Sequence, residues 1–212
     1  MTCRFWITRF PLILRTVLIA CSAILVACSD SRLEPISRHD VILAFGDSLT
    51  EGVGTDKATA YPAVLEELTG QGVINAGISG ETTTEGLERF EQTLIDYQAS
   101  LVILLEGGND ILRNLPASQT KDNLARMIKI AHQHDAQVLL VAVPQKKLFS
   151  DAAPFYLELA EEYQVPLEKS LLADLLRSPK YKSDPIHLNT AGYRKLAEGL
   201  YQRLIDEGAI DR

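Results

Sequence analysis

Val41-Ile42-Leu43-Ala44-Phe45-Gly46-Asp47-Ser48-Leu49 is the stretch that decides how this 212-residue chain folds. Its unbroken apolar run, 41–45, suits a strand covered on both faces, because a strand with one wet face alternates apolar and polar residues. The run ends at a glycine followed by Asp47 and Ser48, small polar residues that favour turns and helix starts. Comparable runs recur at 73–76, 101–105 and 138–143, and a weaker fifth candidate starts near Val165. Between them lie segments that each keep a single apolar stripe. The stripes are Tyr61, Val64, Leu65 and Leu68; Leu87, Phe90, Leu94 and Tyr97; Leu124, Met127, Ile128 and Ala131; and Tyr193, Leu196, Ala197, Leu200, Tyr201 and Leu204. Such spacing is the ordinary mark of a helix packing one face on a core. Strand alternating with helix predicts an α/β fold, a three-layer α/β/α sandwich around a central, mostly parallel five-stranded sheet.

Upstream, Arg4, Arg9 and Arg15 precede an apolar stretch, 17–27, that closes on Leu25-Val26-Ala27-Cys28, the layout of a secretory signal. Arg15 leaves only residues 16–27 uninterrupted, short of the ~20 that span a bilayer. The last four residues resemble the lipobox of bacterial lipoproteins, which implies cleavage before Cys28 and a lipid on that cysteine. The expected organisation is a signal peptide over 1–27, lipidated Cys28 and a polar tether over 28–38, and one domain over 39–212. Fully extended, the tether reaches about 30 Å. Such a protein is exported to the periplasmic face of the envelope. Ser29 is not the aspartate that resembles an inner-membrane retention signal, which favours the outer membrane.

Cys3 and Cys21 leave with the signal, so no disulfide and no cysteine metal site is expected. Losing 1–27 removes three arginines and no acids, taking the formal charge from −7 to −10, which speaks against a nucleic-acid partner. The remaining 185 residues suit one domain, expected to be monomeric, that buries roughly 70% of its unfolded surface.

In open α/β sheets, sites form beyond the carboxyl ends of the strands, and the polar residues of interest fall at such ends. Ser48 follows the first run, Gly80 the second and Asn109 the third. Serine is a weak nucleophile at neutral pH and needs a base within hydrogen-bond reach and a group to orient that base. Asp184-Pro185-Ile186-His187 offers both, since a carboxylate three residues away on a turn can hold the Nδ1 proton and leave Nε2 for the serine. Attack on an acyl carbonyl also builds charge on oxygen. The Ser48 N–H, the Gly80 N–H and the Asn109 amide could supply three donors, each typically contributing ~2.7 to 4 kcal/mol to the transition state.

These residues resemble the blocks of the SGNH, or GDSL, hydrolase family. Gly46-Asp47-Ser48-Leu49-Thr50-Glu51-Gly52 matches the first block, with Ser48 as nucleophile. Gly80 lies in the second, Asn75-Ala76-Gly77-Ile78-Ser79-Gly80-Glu81-Thr82, and Asn109 in the third, Gly107-Gly108-Asn109-Asp110. Asp184 and His187 supply the last. The resemblance spans roughly residues 40 to 207, and within the family it is nearest to the periplasmic acyl thioesterases, lysophospholipases and arylesterases. It implies a flavodoxin-like layering of the sheet, catalytic Ser48, Asp184 and His187, an oxyanion hole of Ser48, Gly80 and Asn109, and no cofactor or metal. Pro185 departs from the glycine common after the aspartate, and restricts the turn between Asp184 and His187. Ser48 also fails the G-x-S-x-G elbow, so it should sit on a loop or first helical turn.

Taken singly, these residues have plainer readings. Ser48 alone would be a helix N-cap, and Asp110 a cap or turn residue. His132 and His134 point about 200° apart on a helix, which makes them a poor metal pair. Lys146, Lys147, Lys180 and Lys182 read as a solvated face with at most weak contact to anionic headgroups. His39 carries no usable signal. Ile111, Leu112, Leu115 and Pro116, with residues 152–156, could line an acyl pocket or pack as loops. The leading expectation is a serine esterase for carboxylic esters or thioesters, acting on a small-molecule or lipid substrate through an acyl-Ser48 intermediate. The rivals are a carbohydrate or peptidoglycan O-acetylesterase using the same residues, a non-catalytic lipid- or glycan-binding envelope module, and a flavodoxin-like anion-binding domain.

Overall fold

Five strands pair in the order β2-β1-β3-β4-β5, and all four pairings are parallel. The structure, a computed structural model, describes residues 33–145 and 152–211. The expected signal and Cys28 lie outside the described residues, as do Lys146 and Lys147. The strands are β1 (Val41–Gly46), β2 (Gly72–Gly77), β3 (Ala99–Leu105), β4 (Gln137–Val141) and β5 (Leu167–Glu168). β1, β3 and β4 are almost wholly buried, as their unbroken apolar runs require. The fifth strand starts at Leu167, not Val165, and has only two residues. Its reach is extended by Leu140 N–H to Pro166 O at 2.9 Å and Ala142 N–H to Glu168 O at 2.9 Å.

Helices follow each strand: α1 (Ser48–Glu51), α2 (Tyr61–Thr69), α3 (Thr83–Tyr97), α4 (Gly108–Leu112), α5 (Ala117–Gln133), α6 (Pro154–Tyr163), α7 (Leu171–Arg177) and α8 (Thr190–Asp206). α2 packs with α8, and α3 with α5, giving the two helical layers of the sandwich. Their apolar stripes face the sheet, except that Tyr97, on the last turn of α3, is 46% exposed. Local chemistry starts and stops these helices. Thr82 and Glu85 form a reciprocal capping box at α3, Asn189 accepts from Gly192 N–H at α8, and Gly70 ends α2 in the left-handed region. On the α3 side, Phe45 meets Phe90 edge-on with centroids 4.9 Å apart, and the Arg89 guanidinium lies 4.0 Å over the Phe45 ring.

The segment expected to be tether is pinned to the domain from Leu33 onward. Leu33 N–H donates to Glu207 O at 3.0 Å and Ile36 N–H to Ala209 O at 2.9 Å, while Glu34 and Gln137 exchange a reciprocal pair at 2.6 and 2.9 Å. Leu33 and Ile36 supply the driving force by packing on the core, a tertiary effect that two apolar residues in a polar stretch do not announce.

At the carboxyl edge, β1 ends at Gly46 beside Gly77 of β2 and Leu105 of β3. α1 lies directly against the end of β2: a Cβ on Gly77 would sit 2.0 Å from Glu51 N and 2.5 Å from the Thr50 carbonyl carbon. Both obstacles are backbone and cannot rotate away. Gly77→Ala is therefore expected to destabilise the fold by about 3 kcal/mol or more through overpacking, a melting shift of roughly 6 to 12 °C for a domain of this size. Thermal denaturation followed by circular dichroism checks this, and an unchanged melting temperature would mean that α1 is not seated on β2 as described.

Candidate active site

Ser48 is the first residue of α1, a four-residue helix too short to show any periodicity in sequence. Asp47 caps that helix, its carboxylate accepting from Leu49 N–H at 3.0 Å, and Gly52 ends it in the left-handed region. The serine thus stands at a strand end on a first helical turn, where β1 separates its two neighbours β2 and β3 and the strand order reverses.

The distant partners converge on it. His187 Nε2 lies 3.0 Å from Ser48 Oγ, and His187 Nδ1 lies 2.7 Å from Asp184 Oδ2. With Nδ1–H donating to the carboxylate, Nε2 is left to accept from the serine hydroxyl. The second carboxylate oxygen, Oδ1, accepts from Ile186 N–H at 2.9 Å and His187 N–H at 2.8 Å, closing an Asx-type turn. Pro185 fits because the turn takes its donors from the two residues after it. The turn is held from below by Asn189 Nδ2, which donates to Lys180 O and Lys182 O, and by Ser183 N–H to His187 O at 3.1 Å. Burial alone would raise the Asp184 carboxyl, but the His187 ring and the two N–H groups outweigh it and hold it below the usual range.

On the other side of Ser48, Gly80 adopts φ +83°, a conformation that favours glycine. Neither Ser48 N–H nor Gly80 N–H has an acceptor among the described residues. Asn109, on the first turn of α4, donates through Nδ2 to Glu81 O at 2.8 Å and more weakly to Asp47 Oδ2 at 3.4 Å. One amide hydrogen is thereby anchored and the side chain is held in place. All five residues singled out in the sequence are brought to this one edge.

Three supports escaped the sequence reading. Arg113 Nη2 donates to Gly80 O at 2.7 Å and fixes the peptide that carries the glycine loop. Buried Asp110 accepts from Thr83 N–H at 2.9 Å, Thr83 Oγ1 at 2.6 Å and Thr120 Oγ1 at 3.3 Å, so it caps α3 from another helix and ties the loop of Asn109 to that of Gly80. Glu81, whose carbonyl anchors Asn109, is itself buried against Arg89, which also donates to Ala76 O. A capping role was expected for Asp110, but its partner lies 27 residues away and no local signal names it.

Besides Asp110 and Glu81, the carboxyls of Asp47 and Glu106 are also buried at the site. Burial, followed by the neighbouring Asp47, holds Glu106 well above the usual carboxyl range. Asp47 is pushed up to about 6, chiefly by burial, against the relief given by Leu49 N–H and a His187 charge. An acid raised on folding adds stability that is full below its unfolded value near 3.8 and is lost as pH rises through about 6. Asp47→Asn is therefore expected to remove a fall in stability between pH 4 and 6, worth on the order of 3 kcal/mol if the whole shift is expressed. Urea unfolding of both proteins across that window measures it, and parallel curves would refute it.

A cavity of about 430 Å³ opens in front of Ser48 and His187. Its apolar wall comes from Ile111 and Leu112 of α4, Val143 after β4, and Ala173 and Leu176 of α7. Of the acyl-pocket candidates, Ile111 and Leu112 line it, while Leu115 and Pro116 do not, and Phe155 and Tyr156 belong to the core. His132 and His134 join no cluster of three or more potential metal ligands among the described residues, and His134 Nε2 lies 3.0 Å from Glu91 Oε1.

The family model for the GDSL-like lipase/acylhydrolase family matches residues 44–195. The chain belongs to that family. It is an ester hydrolase with the family's α/β fold. It is 30% identical over 173 residues to thioesterase 1/protease 1/lysophospholipase L1 of Escherichia coli K12, covering 78% of this chain and 83% of that protein. It is 33% identical over 175 residues to an arylesterase of Vibrio mimicus, covering 77% and 88%. Among solved structures, the crystal structure of TesA superposes with a TM-score of 0.71 at 27% identity, over 79% of this chain and 99% of that one.

Proposed function

We propose that Ser48 is the nucleophile of this hydrolase, His187 its base and then its acid, and Asp184 the group that orients His187. Ser48 Oγ bonds to the acyl carbon while its proton passes to His187 Nε2, and that proton then leaves with the alcohol or thiol. Water, deprotonated by the same nitrogen, attacks the acyl-serine and releases the acid and the free serine. The Ser48 and Gly80 N–H groups and the Asn109 amide receive the charge that develops on the carbonyl oxygen. The observation that carries this reading is the unbroken series Asp184 Oδ2 to His187 Nδ1 at 2.7 Å and His187 Nε2 to Ser48 Oγ at 3.0 Å.

The substrates are carboxylic esters or thioesters with short to medium acyl chains, a reading supported by the apolar wall of the 430 Å³ cavity and by the relatives' names. Hydrolysis of p-nitrophenyl esters from acetyl to palmitoyl by the full chain tests it. A maximum between butyryl and decanoyl is expected; activity on acetyl alone would transfer the assignment to carbohydrate deacetylation. The protein is exported and anchored by a lipid on Cys28, a reading that rests on Leu25-Val26-Ala27-Cys28 behind an arginine-flanked apolar stretch. Palmitate labelling in cells checks this, and equal labelling of Cys28→Ala would refute it.

A further inference from the structure

Most of the cavity wall is apolar, but two cations among the described residues also line it, Arg177 and Lys182. Arg177 is already engaged by Asp174 at 2.7 Å. Lys182 has no carboxylate partner and no side-chain hydrogen bond among the described residues, and it is half-buried. It also has little freedom of position. It precedes the turn that carries Asp184 and His187 and pairs across it with Leu188, and its carbonyl accepts from Asn189 Nδ2 at 3.2 Å. The sequence alone assigned this lysine to a solvated face; the fold puts it in the wall of the pocket that holds the reacting serine.

A half-buried lysine in an otherwise apolar cavity wall, with no counter-ion among the described residues, offers an ammonium free to pair with an anion brought in by the substrate. The context sharpens this. The chain is acidic, −7 overall, so its general field repels anions and an anionic substrate depends on a local cation at the pocket itself. Among the described residues, the carboxylate that lines the cavity, Asp47, is committed to the α1 cap, and Asp184 beside it is committed to His187.

We propose that Lys182 is a specificity-determining residue that pairs with a carboxylate or phosphate on the ester, so that the preferred substrate of this hydrolase is an anionic ester. The inference rests on the esterase reading of the site. It concerns binding only and leaves the bond-breaking steps as described. The anion can reside on the leaving group or on the far end of the acyl chain, and the two cases are separated by the probes.

The test compares three esters in the full chain: 4-nitrophenyl butyrate, which is neutral; the butyrate ester of 4-hydroxybenzoate, anionic on the leaving group; and mono-4-nitrophenyl glutarate, anionic on the acyl side. The readout is the ratio of kcat/KM for each anionic ester to that for the neutral one. Lys182→Gln is expected to lower that ratio on the order of 10-fold for one anionic probe, as loss of a charged hydrogen bond does. Lys182→Glu should lower it further and Lys182→Arg should restore it. The drop should lie in KM, and added salt should erode the wild-type preference but not that of the Gln variant. Which probe responds names the side that carries the anion. Ratios that stay within 2-fold for both probes in the Gln and Glu variants overturn the proposal. Failure of wild type on all three esters overturns the underlying esterase reading instead.

Discussion

Replacing Ser48 by alanine is expected to lower ester hydrolysis on the order of 10⁵-fold while leaving the protein folded. The chemical loss follows from the geometry: without Oγ, the imidazole 3.0 Å away has no proton to take and no bond can form to the acyl carbon. The fold should survive because the cap of α1 is made by Asp47, not by Ser48, and alanine is at least as good a helix former. Stability should change by less than about 1 kcal/mol. Turnover of p-nitrophenyl butyrate and a melting curve check both halves, and labelling by a fluorophosphonate should vanish with the hydroxyl. A Ser48→Ala protein that keeps more than a few per cent of the activity would mean that another group is the nucleophile.

Asn109→Ala should cost between 10² and 10³ in kcat with little change in KM. The side chain is too well anchored to be a passive wall residue, with one amide hydrogen committed to Glu81 O at 2.8 Å. The remaining hydrogen is held only by the long 3.4 Å contact to Asp47 Oδ2, so it can be given up to a developing oxyanion at little cost. Because the bond strengthens as charge appears, its loss falls on the chemical step and not on substrate binding. Asn109→Asp should be no better, since it replaces a donor by a charge beside the buried Asp47. Steady-state kinetics on a single ester decide it. A loss confined to KM, or one smaller than about 3-fold, would show that the two backbone N–H groups suffice.

Much of this was legible because burial leaves a plain signature. β1, β3 and β4 are continuous apolar runs since both faces are covered, and each helical stripe marks the side that meets the sheet. The candidate site residues stood out for other reasons: Ser48, Gly80 and Asn109 each come after an apolar strand run, and Asp184 and His187 lie three residues apart on a turn before the last helix. What could not be read depended on contacts between elements remote in sequence. α1 has only four residues, and β5 two, too few for a period. α7, which gives Ala173 and Leu176 to the cavity, drew no notice among scattered leucines. Arg113, Asp110 and Lys182 look like ordinary surface or turn residues until the chain is closed around Gly80, Thr83 and His187.

The two ends of the sheet also differ mechanically. The segment from Leu33 to Ile36 joins the fold at the amino ends of the strands, beside the first residue of β4 and the residues that follow α8, whereas Ser48, Asn109 and His187 gather at the carboxyl ends. Tension applied through the chain upstream of Leu33 is borne first by the hydrogen bonds to Glu207 and Ala209 and then by β1, which is clasped in shear between two neighbours. The loops that hold the serine, the amide and the imidazole are outside that line of force. Cargo, tags or surfaces attached on that side pull on the molecule from the edge opposite the loops that bring Ser48, Asn109 and His187 together.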